Sequence, residues 1–133
     1  MPALLDTDVL SEVLKGRHRR ILEMAAAYTR EHQRFTLSAI TLYEIERGLL
    51  AKQATRLLMR LDAITEDSTV LSISLSVLRR AARLWAEARA AGRPRNDADL
   101  LIAATALEHD LALVTGNQRH FGWIPRLRLE AWA

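Results

Sequence analysis

Cysteine is absent from the 133 residues. That excludes disulfides, thiolate metal sites and cysteine nucleophiles together, so any catalysis must run on carboxylates, hydroxyls, histidine or lysine. No apolar run approaches the roughly 18 residues that span a bilayer, and the first ten residues, MPALLDTDVL, show neither the basic n-region nor the apolar h-region of an export signal. No membrane association is expected, and a cytoplasmic location is. Proline is scarce (Pro2, Pro94, Pro125), the five glycines are dispersed, and no repeat, linker or low-complexity stretch interrupts the chain. Residues 1–133 therefore read as a single domain, a length at which folding buries roughly two-thirds of the unfolded chain's surface. Lysine is scarcer still, with Lys15 and Lys52 set against seventeen arginines.

What is present is half apolar and 26% charged, which is too apolar for a disordered tail and too interrupted by charge for a membrane protein. The net charge of +3 averages over any acids drawn into one pocket. The arginines cluster as Arg17, Arg19 and Arg20, as Arg79, Arg80 and Arg83, and as Arg93 and Arg95. Such clusters belong to solvated helix faces or to a surface for a polyanion, whose phosphates suit the planar guanidinium fork.

Short apolar runs alternate with longer helical patterns. Ala3 to Leu5 is a strand candidate, and Asp8 is a plausible N-cap for a helix from Val9 to Leu14. Arg19 to Glu31 is helical, and Arg34 to Leu37 is a second strand. Ser38 and Thr41 offer caps for a helix reaching Leu50, with Gly48 its weak spot, and another helix covers Ala51 to Ile64. Val70 to Ile73 is a strand, Leu75 to Ala91 a helix stopped by Gly92 and Pro94, then a helix runs from near Asn96 to His109, and Leu111 to Thr115 is the last clear strand. The alternation predicts an α/β sandwich around a mostly parallel sheet.

In open parallel sheets, sites lie outside the carboxyl ends of the strands. There the sequence offers Asp6, then Ser38 with Glu44, then Thr115, Gly116 and Asn117, while Asp99 stands in the first turn of a helix. Each has a structural explanation of its own. Asp6 can cap a turn, Glu44 follows Thr41 at capping-box spacing, Asp99 follows Asn96 likewise, and Asn117 is an ordinary turn residue. Their joint occurrence is what needs explaining.

That joint occurrence resembles the PIN-domain ribonucleases, and among them the VapC-type toxins of prokaryotic toxin–antitoxin pairs. The carriers are Leu4-Leu5-Asp6-Thr7-Asp8-Val9-Leu10, Leu37-Ser38-Ala39-Ile40-Thr41 leading to Glu44 and Gly48, Asp99-Leu-Leu-Ile-Ala-Ala-Thr-Ala, and Leu113-Val114-Thr115-Gly116-Asn117 with Phe121. Together they span nearly the whole chain. The resemblance implies a PIN-like α/β/α sandwich and makes Asp6, Glu44 and Asp99 the three metal-binding acids. Asn117 stands where many members carry a fourth acid, a departure that bears on any second metal. Asp97 lies about 200° around a helix from Asp99 and would not face the same ion.

Three carboxylates in one pocket repel, and a divalent cation resolves the conflict. Oxygen ligands suit Mg²⁺ or Mn²⁺, and no histidine pair stands at zinc spacing. The implied reaction is hydrolysis of RNA by a metal-activated water, with Thr115 and Asn117 as candidates to orient that water or the metal and Ser38 as a weaker one. His120 reads as a surface histidine. Setting the three acids aside leaves an excess of six cations elsewhere, which favours a nucleic-acid substrate. Tyr28, Tyr43, Trp85 and Trp123 could stack on bases, although core packing is the default for each. The resemblance also implies a cognate antitoxin and a homodimer. Two alternatives stand beside this reading: a non-catalytic RNA-binding or interaction module with a decayed site, and an aspartate-nucleophile phosphatase using Asp6 and Asp8.

Overall fold

A computed structural model describes residues 2–94 and 96–133, so Arg95 of the third arginine cluster lies outside the described residues. The chain runs β1 (Ala3–Leu5), α1 (Thr7–Lys15), α2 (Arg19–His32), β2 (Thr36–Ser38), α3 (Ala39–Ala51), α4 (Thr55–Glu66) and β3 (Thr69–Leu71). It continues through α5 (Leu75–Ala90), α6 (Asp97–Glu108), β4 (Ala112–Val114), α7 (Gln118–Phe121) and β5 (Leu129–Glu130). The five strands form one sheet in the order β3-β2-β1-β4-β5, and every pairing is parallel. The mostly parallel sheet expected from the alternation is thus parallel throughout.

Strand order decides where a site can form. The chain leaves β1 toward β2 and β3 on one side and later fills β4 and β5 on the other, so helices after β1 and β4 diverge and open a crevice at their carboxyl ends. Register locks the two strands together, with Ala3, Leu4 and Leu5 opposite Ala112, Leu113 and Val114. The Asp6 N–H donates to Val114 O at 2.9 Å, continuing the ladder to the crevice edge.

Side chains alternate across the sheet and divide the core into two layers. Ala3, Leu5, Leu37, Ala112 and Val114 face α1 to α4 and Trp132, whereas Leu4 and Leu113 face α5, α6 and Phe121. The strands carry apolar residues on both faces because both faces are covered. Helix α6 is buried nearly all round, and Ala103, Ala104 and Ala106 are small enough to let it lie close against its neighbours.

Several boundaries differ from the sequence reading, each for a local reason. Helix α1 begins at Thr7 with Asp6, not Asp8, as its N-cap: Asp6 is extended and its carboxylate accepts from the Thr7 N–H. Ser38 alone caps α3, leaving Thr41 inside the helix. The helix expected from Ala51 starts instead at Thr55, because residues 52–54 separate it from α3, with Gln53 at φ +54° and no side-chain cap on α4. Gly48 does not break α3. Strand β2 begins two residues later than expected, at Thr36, β3 is shifted from Val70–Ile73 to Thr69–Leu71, and β4 is trimmed to Ala112–Val114. Neither α7 nor β5 was foreseen, since four and two residues carry no periodicity. Among the described residues, no helix is long and apolar enough to cross a membrane.

Candidate active site

The crevice is a cleft of about 430 Å³. Four carboxylates line it, those of Asp6, Asp8, Glu44 and Asp99, with Asn117 and His120 beside them. These come from β1, α1, α3, α6 and the segment after β4, so distant parts of the chain do meet at the strand ends. Asp97 is not in the cleft and lines a separate surface recess with Leu78 and Trp85. The two lysines of the chain, Lys15 and Lys52, also line the cleft, a placement their sequence positions did not suggest.

Asp6 is the most constrained group, at 3% exposed. One oxygen accepts from the Thr7 N–H at 2.8 Å and the other from Thr115 Oγ1 at 2.7 Å. Thr115, itself fully buried, accepts in turn from the Asn117 N–H at 2.9 Å. Burial pushes the Asp6 carboxyl up from 3.8 to about 7, and the charges of Asp8 and Asp99 push the same way, while the bonds from Thr115 and Thr7 oppose them. With both oxygens held by donors, Asp6 is not poised as a free nucleophile.

Asp8 sits one helical step further in and belongs to the same pocket, which the three-acid reading omitted. Its Oδ2 accepts from the Gly116 N–H at 3.0 Å, while Oδ1 is buried without a partner among the described residues. A Cβ at Gly116 would come within 2.8 Å of Asp8 Oδ2, so a larger residue there would require the Asp8 carboxylate to shift. Glu44 accepts at 2.7 Å from Thr7 Oγ1, which also lies 3.3 Å from Thr41 Oγ1. Glu44 therefore forms no capping box with Thr41, and Thr7, unnoticed in the sequence, ties the end of β1 to α3. Asp99 receives its helical place from Asn96, whose side chain accepts from the Asp99 N–H at 3.1 Å. The Asp99 carboxylate faces away from that cap, with Oδ2 3.0 Å from Nδ1 of His120. His120 is surface-exposed as read, yet it also belongs to the cleft wall. Asn117 is exposed and heads α7 without a side-chain cap bond. Ser38 is fully buried as the α3 cap, bonded to the Ile40 N–H, and does not line the cleft.

A hard divalent cation fits this donor set. The carboxylate oxygens suit it, Asp8 Oδ1 is buried without a donor, and Asp6 is held in surroundings that disfavour its anion until positive charge arrives. Among the described residues no three Asp, Glu or His side chains stand at a spacing that would hold one ion; Glu44 accepts from Thr7, and Asp99 lies beside His120.

The sequence profile of the PIN domain matches residues 3–124, which spans every element of the cleft. The chain belongs to the PIN-domain family. PIN-domain ribonucleases are, as a family, dependent on divalent metal. This PIN domain is 33% identical to the VapC ribonuclease Y4jK of Sinorhizobium fredii over 89% of each chain, and 28% identical to ribonuclease VapC1 of Haemophilus influenzae over 97% of this chain and 96% of that one. Its fold is similar to that of DNA-bound VapBC from Salmonella typhimurium, with a TM-score of 0.88, 29% identity and full coverage of both chains. The α/β/α sandwich read from the sequence is thus the PIN fold.

Among the described residues, none of the clustered arginines lines this cleft. Arg17, Arg19 and Arg20 are exposed around the α1–α2 turn, and Arg80 pairs with Glu108. Of the aromatics, Tyr28 is core, its hydroxyl bonded to the backbone of Ala3. Tyr43 is 57% exposed beneath Arg47.

Proposed function

We propose that this PIN domain is a VapC-type endoribonuclease toxin that hydrolyses RNA phosphodiester bonds with Mg²⁺ or Mn²⁺. The gathering of Asp6, Asp8, Glu44 and Asp99 at the carboxyl ends of β1 and β4 carries that reading. Asp6, Glu44 and Asp99 are the residues that would hold the ion, with Asp8 adding negative charge beside them. When bound, the ion offsets the carboxylates' repulsion, polarises the scissile phosphate and lowers the pKa of water. Thr115 acts through Asp6 as a positioning residue, fixing the carboxylate by its hydroxyl and the following turn by accepting from Asn117. Asn117 orients what enters beside Asp6. Lys15 and Lys52, which also line the cleft, can neutralise phosphates flanking the cut. The partners that follow from this reading are an RNA substrate and a cognate antitoxin in the cytoplasm, with a second copy of the chain completing a homodimer.

Cleavage of RNA by the purified chain in Mg²⁺ or Mn²⁺, and its absence in EDTA, tests the proposal. Asp6→Asn, Glu44→Gln and Asp99→Asn should each lower the rate by about a hundredfold, since each removes charge from one metal centre. Asp97→Asn should leave it nearly unchanged. RNA binding without cleavage in any divalent ion would return the chain to the non-catalytic alternative.

A further inference from the structure

The acidic cleft does not end at Asp99 and His120. Beyond them lies a second recess of about 290 Å³, and Asn96, Asp99 and His120 line both. Its far wall is of different chemistry, made by Arg93, Pro94, Arg119 and Trp123. The Trp123 indole N–H donates to the carbonyl of His120 at 2.9 Å, so the ring's attitude is fixed by the same turn that carries the cleft histidine. The ring is half-buried, packed on one side against the core layer that holds α6. The Arg93 guanidinium lies over it, 5.9 Å from the ring centroid.

Neither Arg93 nor Arg119 forms an ion pair among the described residues, in contrast to Arg80 with Glu108 and Arg128 with Asp110. Two exposed guanidinium groups left without carboxylate partners, within reach of an acidic cleft, are arranged for an anion that arrives with the substrate. Trp123, held by its bond to His120 and overlaid by Arg93, gives the recess a planar wall. Phosphate and planar base together describe a nucleotide. The other two arginine–aromatic pairs, Tyr43 with Arg47 and Trp85 with Arg89, line neither the cleft nor this recess.

We infer that the recess between α6 and α7 seats one nucleotide of single-stranded RNA next to the scissile phosphate, its base against Trp123 and Arg93 and its phosphate on Arg119. This rests on the ribonuclease reading and adds to it a subsite that orders the strand across the cleft. Trp123 meets a base by its flat face, because its indole N–H is already committed to His120.

The test is equilibrium binding in EDTA, where no metal-dependent cleavage occurs, using an eight-nucleotide RNA and a ribose-phosphate chain of equal length without bases. The intact chain should bind the RNA about tenfold more tightly than its abasic counterpart, as expected for a stacked base. Trp123→Ala should shrink that preference to about twofold and Trp123→Phe should keep it. Arg119→Ala should weaken both oligomers alike and reduce the slope of affinity against salt by about one. Retention of the phenylalanine variant separates lost stacking from lost packing. A base preference unchanged in Trp123→Ala, or a salt slope unchanged in Arg119→Ala, overturns the subsite. Wild-type cleavage without a Trp123-dependent preference would refute the subsite alone, whereas a Trp123-dependent preference without cleavage would refute the nuclease reading and leave the nucleotide site standing.

Discussion

The metal-free cleft stores unfavourable charge, and replacing Asp6 with asparagine should release it. In the unfolded chain this carboxyl titrates near 3.8; in the fold, burial foremost raises it to about 7. A difference of about three units, at about 1.4 kcal/mol each, makes the ionised Asp6 cost the folded state about 4 kcal/mol. The pH dependence has a definite sign. Below pH 3.8 both states are protonated and the full stability is present; between 3.8 and 7 the folded chain holds a proton that the unfolded chain has lost, so stability falls as pH rises. Above 7 the loss is complete. Asp6→Asn does not titrate, and its amide oxygen still accepts from the Thr7 N–H, so it keeps the helix cap. The amide nitrogen then meets Thr115 Oγ1, which already accepts from the Asn117 N–H, and reorganising that hydroxyl costs about 1 kcal/mol. The net gain at pH 8 is about 3 kcal/mol, or roughly 10 °C in melting temperature for a domain of this size. The assay is thermal melting of both proteins in EDTA at pH 5 and pH 8. The variant's advantage should be clearly larger at pH 8, and Mn²⁺ added at pH 8 should raise the wild type far more than the variant. Equal differences at the two pH values would refute the burial argument, and equal responses to Mn²⁺ would remove Asp6 from the metal site.

Two further expectations concern the groups around Asp6. Thr115→Val removes the hydroxyl that donates to the carboxylate, so denaturant unfolding in EDTA at pH 8 should show a loss of about 1–2 kcal/mol that Thr115→Ser restores. Asn117→Asp adds a fourth hard ligand at the cleft edge, and calorimetric titration should show Mn²⁺ binding tightened by about tenfold; no gain would make Asn117 a turn residue only.

Local chemistry was legible in the sequence wherever a residue acts on its own neighbourhood. The short apolar runs Ala3–Leu5 and Leu111–Thr115 read as strands, and their alternation with longer helical patterns read as a mostly parallel sheet, which the strands Ala3–Leu5 and Ala112–Val114 form. Asn96 and Ser38 read as caps because their oxygens reach N–H groups two or three residues ahead. The family motifs, set in order and spacing, carried Asp6, Glu44 and Asp99 to one place before any distance was known.

Tertiary structure decided which of several equivalent polar residues points where. Asp6 and Asp8 are both plausible caps by sequence; the ladder bond from Asp6 to Val114 fixes Asp6 at the helix start and leaves Asp8 to face Gly116, 108 positions away. Glu44 had a local partner at capping-box distance in Thr41, yet packing of α1 against α3 gives it Thr7 instead. The lysines, far apart in sequence, line one cleft, and His120 meets Asp99 across 21 residues. None of these pairings carries a periodicity or a short spacing, because each depends on the order in which parallel strands are laid beside β1. Charge shows the same division: the acids' number is a property of the composition, but the rise of Asp6 to about 7 exists only once the sheet and helices have taken its carboxyl out of water.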